Sequence, residues 1–202
     1  MEVSRWESIS PDGNWIAQGM YASPKPESSL GVDYVQLVLQ NTESGIRWTV
    51  MEMWRETGLG YTIPQPVKWS QNGRFFYFTN VPVVDGCKAL TPNGSDLQQM
   101  DLETGKVIKV LPPTAFWVSI SPDETRVAYI KQRYLSLGLR DLNTGEESEV
   151  KFDPGKEFDA GNIVWSPEGD MLALTLAIQP CTGGYPGSGV YSKSTSILSR
   201  PS

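Results

Sequence analysis

The sequence predicts an all-β fold, a β-propeller of four-stranded antiparallel blades, about four in number with the last incomplete. Three observations carry that reading. One phrase is written four times, as ISPDGNWIA (9–17), WSQNGRFFYFT (69–79), ISPDETRVAYI (120–130) and WSPEGDMLALT (165–175). Its serines, Ser10, Ser70, Ser121 and Ser166, stand 60, 51 and 45 residues apart, near the period of about 40–50 residues that a propeller blade needs. A second phrase recurs between them, as LQNTESG (39–45), DLETGK (101–106) and DLNTGE (141–146).

Each element of the repeat has a physical reading. An apolar residue (Ile9, Trp69, Ile120, Trp165) ends a first strand. A turn follows in which Pro11, Pro122 and Pro167 preset φ, and Asp12 or Asp123 tolerates the next position. Gly13, Gly73 and Gly169 supply the permissive residue that closes the turn, and Glu124 stands there in the third copy. A second strand begins with a large residue beside a mostly small one: Ile16-Ala17, Phe76-Tyr77, Val127-Ala128 and Leu172-Ala173. That pattern suits strands buried on both faces between stacked sheets. Third strands are expected in YVQLVLQN, DLQQMDL and LSLGLRDL, each closed by the Asn/Thr/Gly turn, with fourth strands in IRWTVMEM, KVIKVLPP and EESEVKF. The blades fall at about 1–55, 62–112, 114–153 and 161–202, as one propeller domain or a fragment of one.

The composition bounds function mainly by exclusion. A net charge of −6 with singly scattered Lys and Arg argues against nucleic acid as a partner. The longest apolar run, MLALTLAI (171–178), is strand-sized, so no transmembrane segment is expected. The chain has no histidine, which removes every Ser–His–Asp or Cys–His arrangement and the commonest metal ligand. Two cysteines cannot build a structural zinc site alone. The expectation is a chain without catalytic residues, metal or cofactor.

The phrases SPDGNWIA and WSPEGDMLAL, with the D-L-x-T-G turns, resemble the WD40-like repeats of TolB-type β-propellers. The same repeats occur in the propeller domains of prolyl-oligopeptidase-like enzymes. The resemblance covers nearly the whole chain and implies the fold; it implies no single function, because this architecture hosts unrelated activities. Gln71-Asn72 in the second copy and Glu124 in the third depart from the pattern, and nothing matches the N-terminal domain that TolB carries.

The spacing locates the insertions. From the serine to the glycine of the TG turn there are 35 residues in blades one and two and 24 in blade three. The excess lies between second and third strands, in YASPKPESSLGV (21–32) and VPVVDGCKALTPNGSD (81–96), with QPCTGGYPGSG (179–189) corresponding in blade four. The connection WRETGLGYTIPQPV (54–67) is also long. Strand alternation places these long connections at one end of the blades and the short turns at the other. Insertions gathered on one side read either as a binding surface, with Tyr21, Trp54, Tyr61 and Tyr185 as its aromatics, or as tolerated surface loops.

Cys87 and Cys181 occupy corresponding loops of blades two and four; a disulfide and two separate thiols are both open readings. Asn93-Gly94-Ser95 matches a glycosylation sequon. Glu146, Glu147, Glu149 and Asp153 read as charge on an outer strand, and Asp12, Asp123 and Glu168 as turn residues bonded to backbone.

The fourth blade is expected to have STSILSR (194–200) as third strand and no fourth, as in a segment of a larger propeller. The N-terminal MEVSRWES has no signal-peptide features, so the chain is cytoplasmic or is exported into a periplasmic or extracellular space by a segment outside this sequence. Three functions follow as expectations: a non-catalytic scaffold that binds a protein or ligand through the long-loop side, an accessory propeller of a larger prolyl-oligopeptidase-like hydrolase, and a sugar binder or enzyme using carboxylates and aromatics. A G-x-S-x-G motif in an extended reading frame would mark the second.

Overall fold

A computed structural model of the chain describes residues 2–23, 32–56, 62–82, 93–131, 136–151, 158–178 and 193–199. The described residues form strands and turns with no helix, so none is long and apolar enough to cross a membrane. The chain separates into two compact units, Met1–Val84 with Leu97–Lys109, and Asp85–Asp96 with Val110–Ser202.

In the first unit, blade one is a meander of β1 (Glu2–Ile9), β2 (Trp15–Ser23), β3 (Val32–Asn41) and β4 (Arg47–Glu56), each antiparallel to the next. Blade two supplies β5 (Thr62–Trp69) and β6 (Phe75–Pro82), then β7 (Ser95–Asp101) and the short β8 (Val107–Lys109). β6 lies between β5 and β7, and β8 pairs with β7. Trp15, Ala17, Leu37 and Leu39 of blade one pack with Trp69, Phe76, Phe78 and Met100 of blade two. Fully burying a side chain such as Leu37 or Phe76 contributes roughly 1.5–3 kcal/mol.

In the second unit, blade three runs β9 (Ala115–Ile120), β10 (Arg126–Lys131), β11 (Ser136–Asp141) and β12 (Glu147–Lys151). Blade four shows β13 (Phe158–Trp165), β14 (Met171–Ile178) and β15 (Lys193–Ser199) as a three-stranded sheet among the described residues. Trp117, Ala128, Ile130 and Leu137 of blade three pack with Ile163, Leu172 and Leu174 of blade four.

The same indole bond joins neighbouring blades in both units. Trp69 donates its Nε1–H to the Ser8 hydroxyl at 2.8 Å, and Trp165 donates to the Ser119 carbonyl at 3.0 Å. Each tryptophan precedes its turn serine, and each acceptor lies two residues before the serine of the preceding blade. Glycine permits a second close approach: the Trp117 ring of blade three lies where a Cβ on Gly161 of blade four would stand.

The short turns close as the repeat implies. The turn glycines Gly13, Gly73 and Gly169 have φ of 75°, 69° and 72°, and Glu124 holds the same left-handed conformation at 59°. Backbone bonds tie the two turn types together in three blades, from Thr42 N–H to Asn14 O, Leu102 N–H to Arg74 O and Leu142 N–H to Thr125 O. The short β8 and the strand bounds of β3 and β4 differ from the sequence reading by a few residues, the usual uncertainty of strand ends.

Three details qualify the sequence reading. Glu168 forms no bond in the fourth turn; Asp170 takes the role, accepting the Ser166 hydroxyl at 2.8 Å. Asn93 is committed to the fold: its amide donates to Val118 O at 2.8 Å and accepts Val118 N–H at 2.9 Å, satisfying a bulged backbone. Burial on both faces also fails for blade one, and that exception leads to the site.

Candidate functional site

The repeated carboxylates are structural. The Ser10 hydroxyl donates to Asp12 Oδ1 at 2.6 Å and accepts the Trp15 N–H at 2.9 Å, so serine and aspartate together replace a missing backbone pairing. Asn72 substitutes for the aspartate in the second copy, accepting from the Ser70 hydroxyl at 2.7 Å. The hydroxyl bonds from Ser10 and Ser121, followed by backbone N–H groups, hold Asp12 and Asp123 below the ordinary carboxylate range. The Arg74 guanidinium at 2.8 Å does the same for Asp101, and two backbone N–H groups of its own turn do so for Asp141. All four are committed anions. The outer-strand acids are paired in the open: Arg140 meets Glu147 at 3.0 Å and Lys131 meets Glu149 at 2.9 Å. Among the described residues no group of three or more metal-ligating side chains converges.

The face of blade one turned away from blade two behaves differently. Three register positions compare blades one and three directly. Ile9 is 57% exposed where Ile120 is 9% exposed, and Ile16 is half-buried where Val127 is fully buried. Gln18 is exposed where Tyr129 is 2% exposed. The rows continue across the sheet as Glu7–Gln18–Val38–Thr49, Arg5–Met20–Gln36–Glu52 and Ala22–Tyr34–Trp54. Side chains in register share a face, so this surface carries alternating polar, charged and aromatic groups. Gln18 donates to Glu7 at 2.9 Å, and the Tyr34 hydroxyl donates to Glu52 at 2.9 Å. The Tyr34 phenol is held above its ordinary value by partial burial and then by Glu52. A depression of about 460 Å³ opens on this blade, bordered by Arg5, Glu7, Gln18, Gln36 and Arg47, with buried Val38 among its walls.

Trp54 stands at the long-connection end of the face, 68% exposed. Its ring rests against Tyr34, centroid to centroid 4.3 Å at 44°, so an exposed indole is supported by a second aromatic ring. Tyr21 is in register with Val35 and lies on the opposite face of the sheet, so Tyr21 and Trp54 do not share one surface. Tyr61, Tyr185, Cys87 and Cys181 lie outside the described residues.

Sequence reasoning missed Tyr34, Gln36, Glu52 and Arg5. Their signal is readable in hindsight: where blade three has Val127 and Tyr129 on this face, blade one has Ile16 and Gln18, followed by charged alternates in β1 and β4.

The repeated four-stranded meanders and their packing make the chain a β-propeller. No protein-family model matches the chain, and no curated protein matches it. Among solved structures it is similar to a prolyl endopeptidase (15% identity, TM-score 0.49), covering 87% of this chain and 23% of that one. It is also similar to the propeller domain of the Trilobed protease from Pyrococcus furiosus (13%, TM-score 0.48), covering 94% of this chain and 57% of that one. Hydrazine synthase of Kuenenia stuttgartiensis is comparable (14%, TM-score 0.48; 96% and 62%). The chain thus spans less than two thirds of the length of each. At these scores the likenesses carry no argument about activity, and the fold rests on the blades themselves.

Proposed function

We propose that the chain is a non-catalytic recognition domain, a propeller of the TolB-type repeat class that engages a partner through the long-connection side, where Trp54 of blade one stands. The observation that carries this reading is Trp54, exposed by 68% and braced on Tyr34 at the long-connection end. An indole that leaves most of its surface in water while one ring braces it is ready to be desolvated by a partner. The repeated carboxylates Asp12, Asp101, Asp123 and Asp141 are committed to turns, which supports a structural role for the repeat itself.

The test is affinity capture from an extract of the source cells with the wild-type chain, Trp54→Ala and Glu43→Ala. Glu43 is exposed in a short turn at the other end of blade one. The expected result is a species captured by the wild type and Glu43→Ala and lost with Trp54→Ala. Equal capture by all three overturns the reading.

A further inference from the structure

We propose that Asn72 is a self-modifying site, where the short turn of blade two converts a side-chain amide into a carboxylate with water as the only co-reactant. The chain holds two Asn-Gly pairs, Asn72-Gly73 and Asn93-Gly94. In such a pair the glycine nitrogen, unhindered by a Cβ, can attack the preceding side-chain amide. The structure treats the two pairs in opposite ways.

At Asn72 the surroundings favour the attack. The amide oxygen accepts two hydrogen bonds, from the Ser70 hydroxyl at 2.7 Å and from the Arg74 N–H at 3.0 Å. Both donors are aimed at the oxygen that becomes negative when a nitrogen adds to Cγ, so they stabilise the tetrahedral intermediate as an oxyanion hole does. The amide nitrogen, which must leave, makes no hydrogen bond among the described residues, and Asn72 is exposed. One bond opposes the attack: the Gly73 N–H donates to Ser70 O at 3.0 Å and must open. At Asn93 the leaving nitrogen is itself held. Nδ2 donates to Val118 O at 2.8 Å while Oδ1 accepts the Val118 N–H at 2.9 Å. Gly94 is buried, which shields its nitrogen from the water or hydroxide that must take its proton.

The step balances without an oxidant or reductant. Gly73 N gives up its proton and bonds to Asn72 Cγ; the Cγ–Nδ2 bond breaks, and Nδ2 takes a proton and leaves as ammonia. Water then opens the five-membered succinimide. Opening at Cγ gives aspartate, and opening at the main-chain carbonyl gives isoaspartate, with one more carbon in the backbone. The aspartyl product reproduces blades one and three, where Ser10 and Ser121 donate to Asp12 and Asp123. The isoaspartyl product lengthens a turn whose ends are tied by Ser70 N–H to Phe75 O at 2.8 Å and by Phe75 N–H to Ser70 Oγ at 2.7 Å. The fold therefore retains the aspartyl form.

The experiment is peptide mapping by mass spectrometry of the full chain, aged in mildly alkaline buffer at physiological temperature. Asn72 is expected to convert about tenfold or more faster than Asn93, and the ratio should fall towards unity in concentrated urea, where both surroundings are lost. Ser70→Ala removes one oxyanion donor and should slow conversion at Asn72 by about threefold or more. A turn that reacts only because it is mobile would instead react faster once Ser70→Ala loosened it. Equal rates at the two pairs in native buffer, or an unchanged or faster rate in Ser70→Ala, overturns the proposal. The native comparison needs no variant, so it decides even where Ser70→Ala does not fold. Asn72→Asp should melt at or above the wild-type temperature; a lower value overturns the claim that the fold retains the aspartyl form.

Discussion

Trp69 donates its indole N–H to the hydroxyl of Ser8 across the boundary between blades one and two, at 2.8 Å. The bond links the last residue of one inner strand to the inner strand of its neighbour, so it reports blade packing without touching the outward face. Trp69→Phe keeps the ring against Phe76 and removes the donor. A loss of about 1 kcal/mol is expected, a fall of about 2–4 °C in melting temperature for a chain of this size, read by differential scanning calorimetry. An unchanged melting temperature would mean that the bond does not join the blades.

The turn serines carry a second expectation. Ser70 is buried, donates to Asn72 and accepts the Phe75 N–H at 2.7 Å, so Ser70→Ala leaves a backbone donor without its acceptor. About 1–3 kcal/mol should be lost in denaturant titrations. The carboxylate versions add a pH dependence. Asp12 and Asp123 are depressed in the folded chain, so their contribution is complete above the ordinary value of 3.8 and disappears as pH falls below it. The double variant Ser10→Ala/Ser121→Ala should therefore lose stability less steeply between about pH 4 and about pH 2 than the wild type. Parallel curves would contradict that assignment.

Tyr129 sets an alkaline limit. Burial, with the Glu147 carboxylate as the next cause, pushes its phenol up from 10.0 to about 12. The unfolded chain releases this proton near pH 10 while the folded chain retains it, so the contribution is intact below 10 and is lost as pH rises towards 12. Thermal unfolding of Tyr129→Phe should be flatter than wild type across that window. A phenolate absorbance appearing near pH 10 from all eight tyrosines of the folded chain would contradict it.

Asp33 makes the opposite case. It is fully buried, and neither carboxyl oxygen has a hydrogen-bond partner. A buried polar group left unpaired costs about 1–3 kcal/mol. Asp33→Val is expected to raise the melting temperature, read by differential scanning calorimetry. A fall would show that the carboxyl is partnered.

The repeat made the fold legible because turn chemistry is local. Serine, aspartate or asparagine, and a left-handed residue act within six positions, and even Gln71-Asn72 and Glu124 keep the geometry their neighbours require. Pairwise exceptions were harder to see. Glu168 occupies the aspartate position but has a longer side chain, and Asp170 serves instead. The outward face was hidden because repeat reasoning treats every blade as equivalent. Only the comparison of Gln18 with Tyr129 shows that the two blades differ on this face. Tyr34 escaped for the same reason: it lies inside a strand that the repeat explains as core, and its partner Trp54 is twenty residues away in sequence.

The exposure of Trp54 at the long-connection end of blade one is the central claim, and tryptophan oxidation by N-bromosuccinimide, mapped by mass spectrometry on the full chain, tests it most directly. Trp54 should be modified first, well ahead of Trp15, Trp69 and Trp117, each 8–9% exposed. Slow oxidation of Trp54 in the free chain, at the rate of those buried indoles, would show the indole covered and contradict the account.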